Sequence, residues 1–185
     1  MSLDGALFYF VNGTIHPAWL DFLMLLASRA VAPLAVLFFA ALFIETFVGK
    51  KDFREVTFLG LAFGLGLLFN SVVLKDTFTR PRPEFSLDNV SIIGRHETDY
   101  SFPSVHSFTI ALLSVLIARK KYSLTVFFLP FTLLTGVSRI YLGAHYPSDV
   151  LVGLGLGLLY GLIINNVIDK FIEHPVFKIL KFHLE

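Results

Sequence analysis

Val56 to Leu74 reads VTFLGLAFGLGLLFNSVVL, nineteen residues without a charge, and the run stops at Lys75. At about 1.5 Å per helical residue it nearly crosses a hydrocarbon core of about 30 Å, which predicts a membrane-spanning helix. The rest of the chain agrees in character. Of its 185 residues 55% are hydrophobic and only 16% charged, with a mean hydropathy of +0.73, whereas a soluble domain carries about 25% charged residues.

Upstream, Val31 to Val48 is broken only by Pro33, Glu45 and Thr46, and polar residues from Gly49 to Glu55 follow it. Downstream, residues 76–103 form the longest polar stretch, with Pro81, Pro83 and Pro103 restricting helix formation. A loop of that length usually has a function. Three more apolar runs follow: Val105 to Ala118, short for a span; about Tyr122 to Leu142, which contains Pro130; and about Val150 to Val167. The expected fold is an all-α integral membrane protein, a bundle of about five transmembrane spans. Residues 1–185 then form one membrane-embedded domain, with connections too short to hold an appended soluble domain. Asp4 to Asn12 and Pro17 to Ala30 carry Asp4, His16, Asp21 and Arg29 and are too short to span, so residues 1–30 read as interfacial helices. Residues 31–168 are then expected to form the transmembrane core, and 169–185 an amphipathic tail. Asp4 in place of a basic start argues against a cleaved signal peptide.

Five spans put Lys50, Lys51, Arg54, Arg119, Lys120, Lys121, Lys170, Lys178 and Lys181 on one side, nine of the 15 basic residues. The positive-inside rule makes that side cytoplasmic, so residues 1–30, loop 76–103 and turn 143–148 face outward. The net charge of +1, from 15 basic and 14 acidic residues, argues against nucleic acid as a partner. Without cysteine there is no disulfide scaffold, thiolate metal site or cysteine nucleophile, and chemistry falls to His, Ser, Lys, Arg and carboxylates. Gly153, Gly157 and Gly161 recur every four residues, and Gly60 and Gly64 do likewise; both sets read as flat ridges for helix packing.

Lys75, Ser104, His106, Ser138, Arg139, His145 and Asp149 all fall near the outer ends of four spans, where ionisable groups are costly and usually functional. Lys75, Arg82 and Arg139 would offer a point charge and two guanidinium forks to a tetrahedral oxyanion, with phosphate the obvious candidate. Ser104 and the first backbone N–H groups of the next helix would add donors, although Ser104 alone reads as a plain N-cap. His145 and Asp149 are four apart across Pro147, so one carboxylate can reach the imidazole and leave Nε2 free to attack, while His106 could protonate a leaving oxygen. A divalent metal on His106, His145 and Asp149 is opposed by the three nearby cations.

Three stretches carry a resemblance: Lys75 followed after six residues by Arg82-Pro83; Pro103-Ser104-Val105-His106; and Ser138-Arg139, five residues, His145, three residues, Asp149. Over roughly residues 54–168 the chain resembles the type 2 phosphatidic acid phosphatase family, the lipid phosphatases related to acid phosphatases and vanadium haloperoxidases. Val105 stands where that family usually has Gly; a β-branched residue neither adopts φ > 0 readily nor permits the same close backbone approach, and ordinary helical dihedrals there would remove the problem. The resemblance implies an acid phosphatase and haloperoxidase-like core and a metal-free phosphatase without cofactor. It assigns His145 as the nucleophile of a phosphohistidine, Asp149 as its orienting group and His106 as general acid, with Lys75, Arg82, Ser104, the Val105 backbone and Arg139 holding the phosphoryl oxygens. The five apolar runs select the membrane branch, acting on a lipid phosphate or diphosphate in a bacterial cytoplasmic membrane with the site outward. Undecaprenyl diphosphate is the first expectation, with phosphatidylglycerol phosphate, phosphatidic acid and lipid A 1-phosphate as competitors.

The loop 84–100, with Glu84, Asp88, Arg95, His96, Glu97 and Asp99, reads equally as a cover over the site or a solvated connector. Two other classes compete with an enzyme. A phosphate or lipid transporter would need polar residues through the whole bundle, whereas here they cluster at one end. A non-catalytic lipid-phosphate binder would keep the anion site without turnover.

Overall fold

In the computed structural model, which describes residues 2–13 and 15–173, eight α-helices and no strand are present among the described residues. Two helices precede the first apolar run: α1 (Leu3–Asn12), capped by Ser2 Oγ accepting from the Gly5 N–H at 3.2 Å, and α2 (Ala18–Arg29), which follows Pro17. Then come α3 (Val31–Val48), α4 (Arg54–Leu68), α5 (Lys75–Phe78), α6 (Val105–Lys120), α7 (Thr125–Tyr141) and α8 (Pro147–Glu173). Between α4 and α5 the chain winds as a π-helix from Phe69 to Leu74.

Three helical stretches, Val31–Val48, Arg54–Phe85 and Pro147–Lys170, are long and apolar enough to cross a membrane on their own, and α7 is a shorter apolar helix. α6 is different. Of its 16 residues, Ser107 to Leu113 and Val115 to Ile117 are all buried, because α3, α4, α7 and α8 pack around it. A helix sheathed by other helices need not match the hydrocarbon thickness by itself, which resolves the shortness of its apolar run. The main core joins Val31, Leu42, Leu59, Phe63, Phe108, Leu112, Leu116 and Ile164 from four helices, and side chains such as Val36, Phe47, Leu65 and Leu159 point outward from it.

The contact between α6 and α8 is the most extensive in the bundle and depends on glycine. A Cβ at Gly153 would lie 2.6 Å from the Ser104 carbonyl oxygen, at Gly157 2.2 Å from that of Phe108, and at Gly161 2.8 Å from Val115. That ridge packs as expected. The ridge expected at Gly60 and Gly64 does not exist, since both glycines face open space; in α4 it is Gly66 that meets a neighbour, the ring of Tyr160.

At one end Arg119 pairs with Asp169 at 2.6 Å and Glu55 at 3.6 Å, and Lys120 with Glu55 at 2.6 Å, tying α4, α6 and α8 together. At the other end α1 and α2 pack on α7, through Phe8 against Ile140, Tyr146 and Val150 and through Met24 against Tyr141 and Leu142. Lys178 and Lys181, and the tail beyond residue 173, lie outside the described residues.

Candidate active site

The end opposite the Arg119 cluster gathers every side chain singled out from the motifs. His145 lies in the turn between α7 and α8. Gly143, at φ +80°, makes that turn possible, and the Arg139 carbonyl accepts from the N–H groups of Ala144 and His145 at 3.1 and 3.2 Å. Pro147 opens α8, which places Asp149 in its first turn, and Asp149 Oδ2 accepts from the Tyr146 N–H at 2.9 Å, half of a capping box.

His145 and Asp149 are both fully enclosed. The carboxylate oxygen lies 3.6 Å from Nδ1, longer than a hydrogen bond, and Ser101 Oγ sits beside both, donating to Asp149 Oδ2 at 2.5 Å and standing 3.5 Å from Nδ1. On the other edge of the ring Arg82 Nη1 is 3.5 Å from Nε2. A guanidinium can only donate, so its neighbour assigns Nε2 as the acceptor and Nδ1 as the protonated nitrogen. Burial, with the charges of Arg139 and Arg82, holds the His145 pKa well below the ordinary histidine value, which keeps the ring neutral.

The three cations converge here. Lys75 is buried at the start of α5; Arg82 is 1% exposed and donates to the Ala144 carbonyl at 2.7 Å; Arg139 is buried in the last turn of α7 and donates to Ser28 Oγ at 2.8 Å. The Nε of Arg139 is buried with no hydrogen-bond partner among the described residues. Ser104 caps α6, its Oγ accepting from the Ser107 N–H and hydroxyl at 3.4 and 3.0 Å, so the N-cap role is real and the hydroxyl proton is left for another acceptor. Val105 is the first residue of α6, with ordinary helical dihedrals; the Gly normally found there is not required for φ > 0. His106 follows it, half-buried on the same turn. Ser138 bonds within its own helix, to the Thr135 carbonyl at 2.7 Å.

A model of the PAP2 superfamily matches residues 55–173. The chain belongs to the PAP2 superfamily. It is 33% identical over 172 residues to the phosphatidylglycerophosphatase B of Bacillus subtilis, covering 84% of this chain and 79% of that one. To the undecaprenyl-diphosphatase BcrC of the same organism it is 30% identical over 149 residues, covering 80% and 75%. Among solved structures it superposes on Aquifex aeolicus LpxE with a TM-score of 0.72 at 29% identity, covering 90% of this chain and 96% of that one. The transmembrane PAP2-type phosphatidylglycerolphosphate phosphatase of B. subtilis gives 0.73 at 27%, covering 90% and 85%.

Around its motif residues this PAP2 chain sets a second layer that the sequence did not reveal. Arg80 donates to Asp149 Oδ1 at 2.5 Å, to Ser148 Oγ at 2.7 Å and to Asp4 Oδ2 at 2.6 Å, and lies 4.0 Å over the Tyr146 ring. Asp4, from α1, also accepts from the Ser148 N–H at 2.9 Å and its hydroxyl at 2.6 Å. Glu97 and Asp99, from the polar loop, pair with Arg139, Arg82 and Lys75. The loop is therefore a cover over the candidate site. Burial raises the pKa of each carboxylate, but the adjoining cations outweigh it and hold both at about 2. The signal available beforehand was a run of acidic residues facing a surplus of cations, without the geometry to pair them.

Proposed function

We propose that this protein is a metal-independent lipid phosphatase that works through a phosphohistidine on His145. The observation that carries the reading is a buried, neutral imidazole whose Nε2 faces Arg82 while Lys75 and Arg139 stand in the same pocket. Such an array holds a phosphoryl group in line with the nitrogen and stabilises the charge spread over its equatorial oxygens.

In the first step Nε2 forms a bond to phosphorus, the bond from phosphorus to the lipid oxygen breaks, and His106, protonated beside the bound phosphoryl anion, gives its proton to that oxygen. His145 becomes cationic at Nδ1, near Asp149 and Ser101. In the second step His106 takes a proton from water, the hydroxide attacks phosphorus, and the Nε2–P bond breaks to release inorganic phosphate. Lys75, Arg82, Ser104, the Val105 backbone N–H and Arg139 hold the oxygens through both steps. Each cation is already a full charge, so the three together supply what a divalent metal would.

The substrate class follows from the membrane-embedded bundle and the relatives: a lipid carrying a terminal phosphate or diphosphate. Undecaprenyl diphosphate remains the first choice, with phosphatidylglycerol phosphate, phosphatidic acid and lipid A 1-phosphate next. The basic cluster of Arg119 and Lys120 lies at the bundle end away from the site, which supports a site on the outer side; the bacterial relatives support a bacterial cytoplasmic membrane. Phosphate release by the detergent-solubilised protein over these four lipids, in EDTA and beside His145→Ala, tests the reading. Release that survives EDTA and disappears in the variant supports it; release that EDTA abolishes, or that His145→Ala retains, sinks it.

A further inference from the structure

The cations assigned to the phosphoryl group are already occupied by the protein itself. Glu97 bridges Arg139 Nη2 through Oε1 and Arg82 Nη2 through Oε2, the latter at 2.7 Å; Asp99 bridges Arg82 Nη2 through Oδ1 and Lys75 Nζ through Oδ2. The two carboxylates therefore meet all three cations, and Arg82 Nη2 is shared between them. A phosphoryl group seated on the same donors would have to displace them.

We propose that residues 94–100 form an acidic lid whose carboxylates compete with the phosphoryl group for Lys75, Arg82 and Arg139. This rests on the reading of the pocket as a phosphoryl site. The lid closes over the three cations, gives way to substrate, and returns to drive out inorganic phosphate after hydrolysis.

The segment is built for that exchange. It is pinned at its two ends, where the Ile93 N–H donates to the Leu142 carbonyl at 3.3 Å and the Ser101 N–H to the Arg80 carbonyl at 2.8 Å. Gly94, next to the first pin, sits at φ +101°, a conformation that only glycine takes without strain, so the chain turns sharply into the segment there. Between the pins the anchors involve side chains: His96 to Glu84 at 2.6 Å, the Asp99 carbonyl to Arg82 Nε at 2.8 Å, and the carboxylate pairs. The Asp99 side chain is 54% exposed while those of Lys75 and Arg82 are 3% and 1% exposed. Buried cations need an anion at all times, because an unpaired buried charge is strongly destabilising. Here the resting anion approaches from the solvent side and can be withdrawn.

The same contacts admit an opposite role, in which Glu97 and Asp99 hold the cations in place for substrate, and the sign of one measurement separates the two. The full-length protein, Glu97→Gln, Asp99→Asn and the double variant are compared for the lipid KM and for product inhibition by inorganic phosphate. A lid closed about nine-tenths of the time weakens apparent affinity about tenfold, so the double variant should lower both constants by about that factor, with each single variant between. A rise in both constants, or no change in an active series, overturns the proposal. Wild-type protein that releases phosphate from none of the lipids fails the underlying functional reading instead. Because the chain has no cysteine, Thr98→Cys carries a single spin label on an otherwise unaltered lid. Saturating inorganic phosphate should increase the mobility of that label, and a label that keeps its mobility overturns the lid even if the carboxylate variants do not fold.

Discussion

Arg80 and Asp149 form an ion pair at 2.5 Å in which Asp149 is wholly buried and Arg80 is 30% exposed. Oδ1 of Asp149 goes to Arg80 and Oδ2 to Ser101 and the Tyr146 N–H, so both oxygens are fixed before either can serve His145. Arg80 is thus the positioning residue of the site. Arg80→Ala should lower kcat about 10- to 100-fold, the usual cost of losing a group that orients a reacting one. Phosphate affinity should change little, because Arg80 is not among the cations facing the pocket. Steady-state kinetics with phosphate as inhibitor checks this, and an equal loss of affinity would place Arg80 in the anion site instead.

Stability should depend on acid through the lid. Glu97 and Asp99 titrate at about 2 in the folded protein against ordinary values of 4.5 and 3.8. A carboxylate with its pKa depressed by folding binds fewer protons folded than unfolded, so its stabilising contribution is complete above about pH 5 and is lost as pH falls toward 2. Melting temperatures in detergent should be level near neutrality and drop below pH 4.5. Glu97→Gln with Asp99→Asn should flatten that drop; an unchanged acid limb in the double variant would assign it to other carboxylates.

Packing makes a third prediction, with an internal control. Gly157→Ala puts a Cβ 2.2 Å from a backbone oxygen of α6, which cannot move aside as a side chain can. Overpacking of this kind costs about 1–3 kcal/mol. Gly60→Ala meets nothing within 4 Å and should be neutral or stabilising by up to about 1 kcal/mol, as alanine usually is in a helix. Thermal unfolding of both variants in one detergent gives the comparison, and equal melting points would remove the α6–α8 ridge as a determinant of stability.

What the sequence disclosed, and what it withheld, follows from the range of the interactions involved. α3 begins and ends where its apolar run does, since composition alone sets those limits. The motif residues converge because each sits at a helix end or in the connection beside one. Arg80, Asp4 and Ser101 could not be assigned in advance: Arg80 meets Asp4 across 76 positions and Asp149 across 69, and no local pattern marks such a partner. Gly60 and Gly64 misled for a related reason, because a four-residue period identifies a ridge without saying whether anything lies against it. Glu97 and Asp99 were visible as charges in a loop of two possible roles, and only the positions of Lys75, Arg82 and Arg139 select the cover.

The π-helical turn at Phe69–Leu74 has a steric consequence for everything beyond it. Each residue of an α-helix advances the chain by about 100°, and a π-turn is in effect one residue inserted into that winding. Val72 and Val73 face outward while Lys75, two positions on, is buried against the site. Deleting one residue from this turn would restore regular winding, carry the ammonium group about a quarter of the way round the axis toward the hydrocarbon, and disarm the enzyme without altering a single functional side chain.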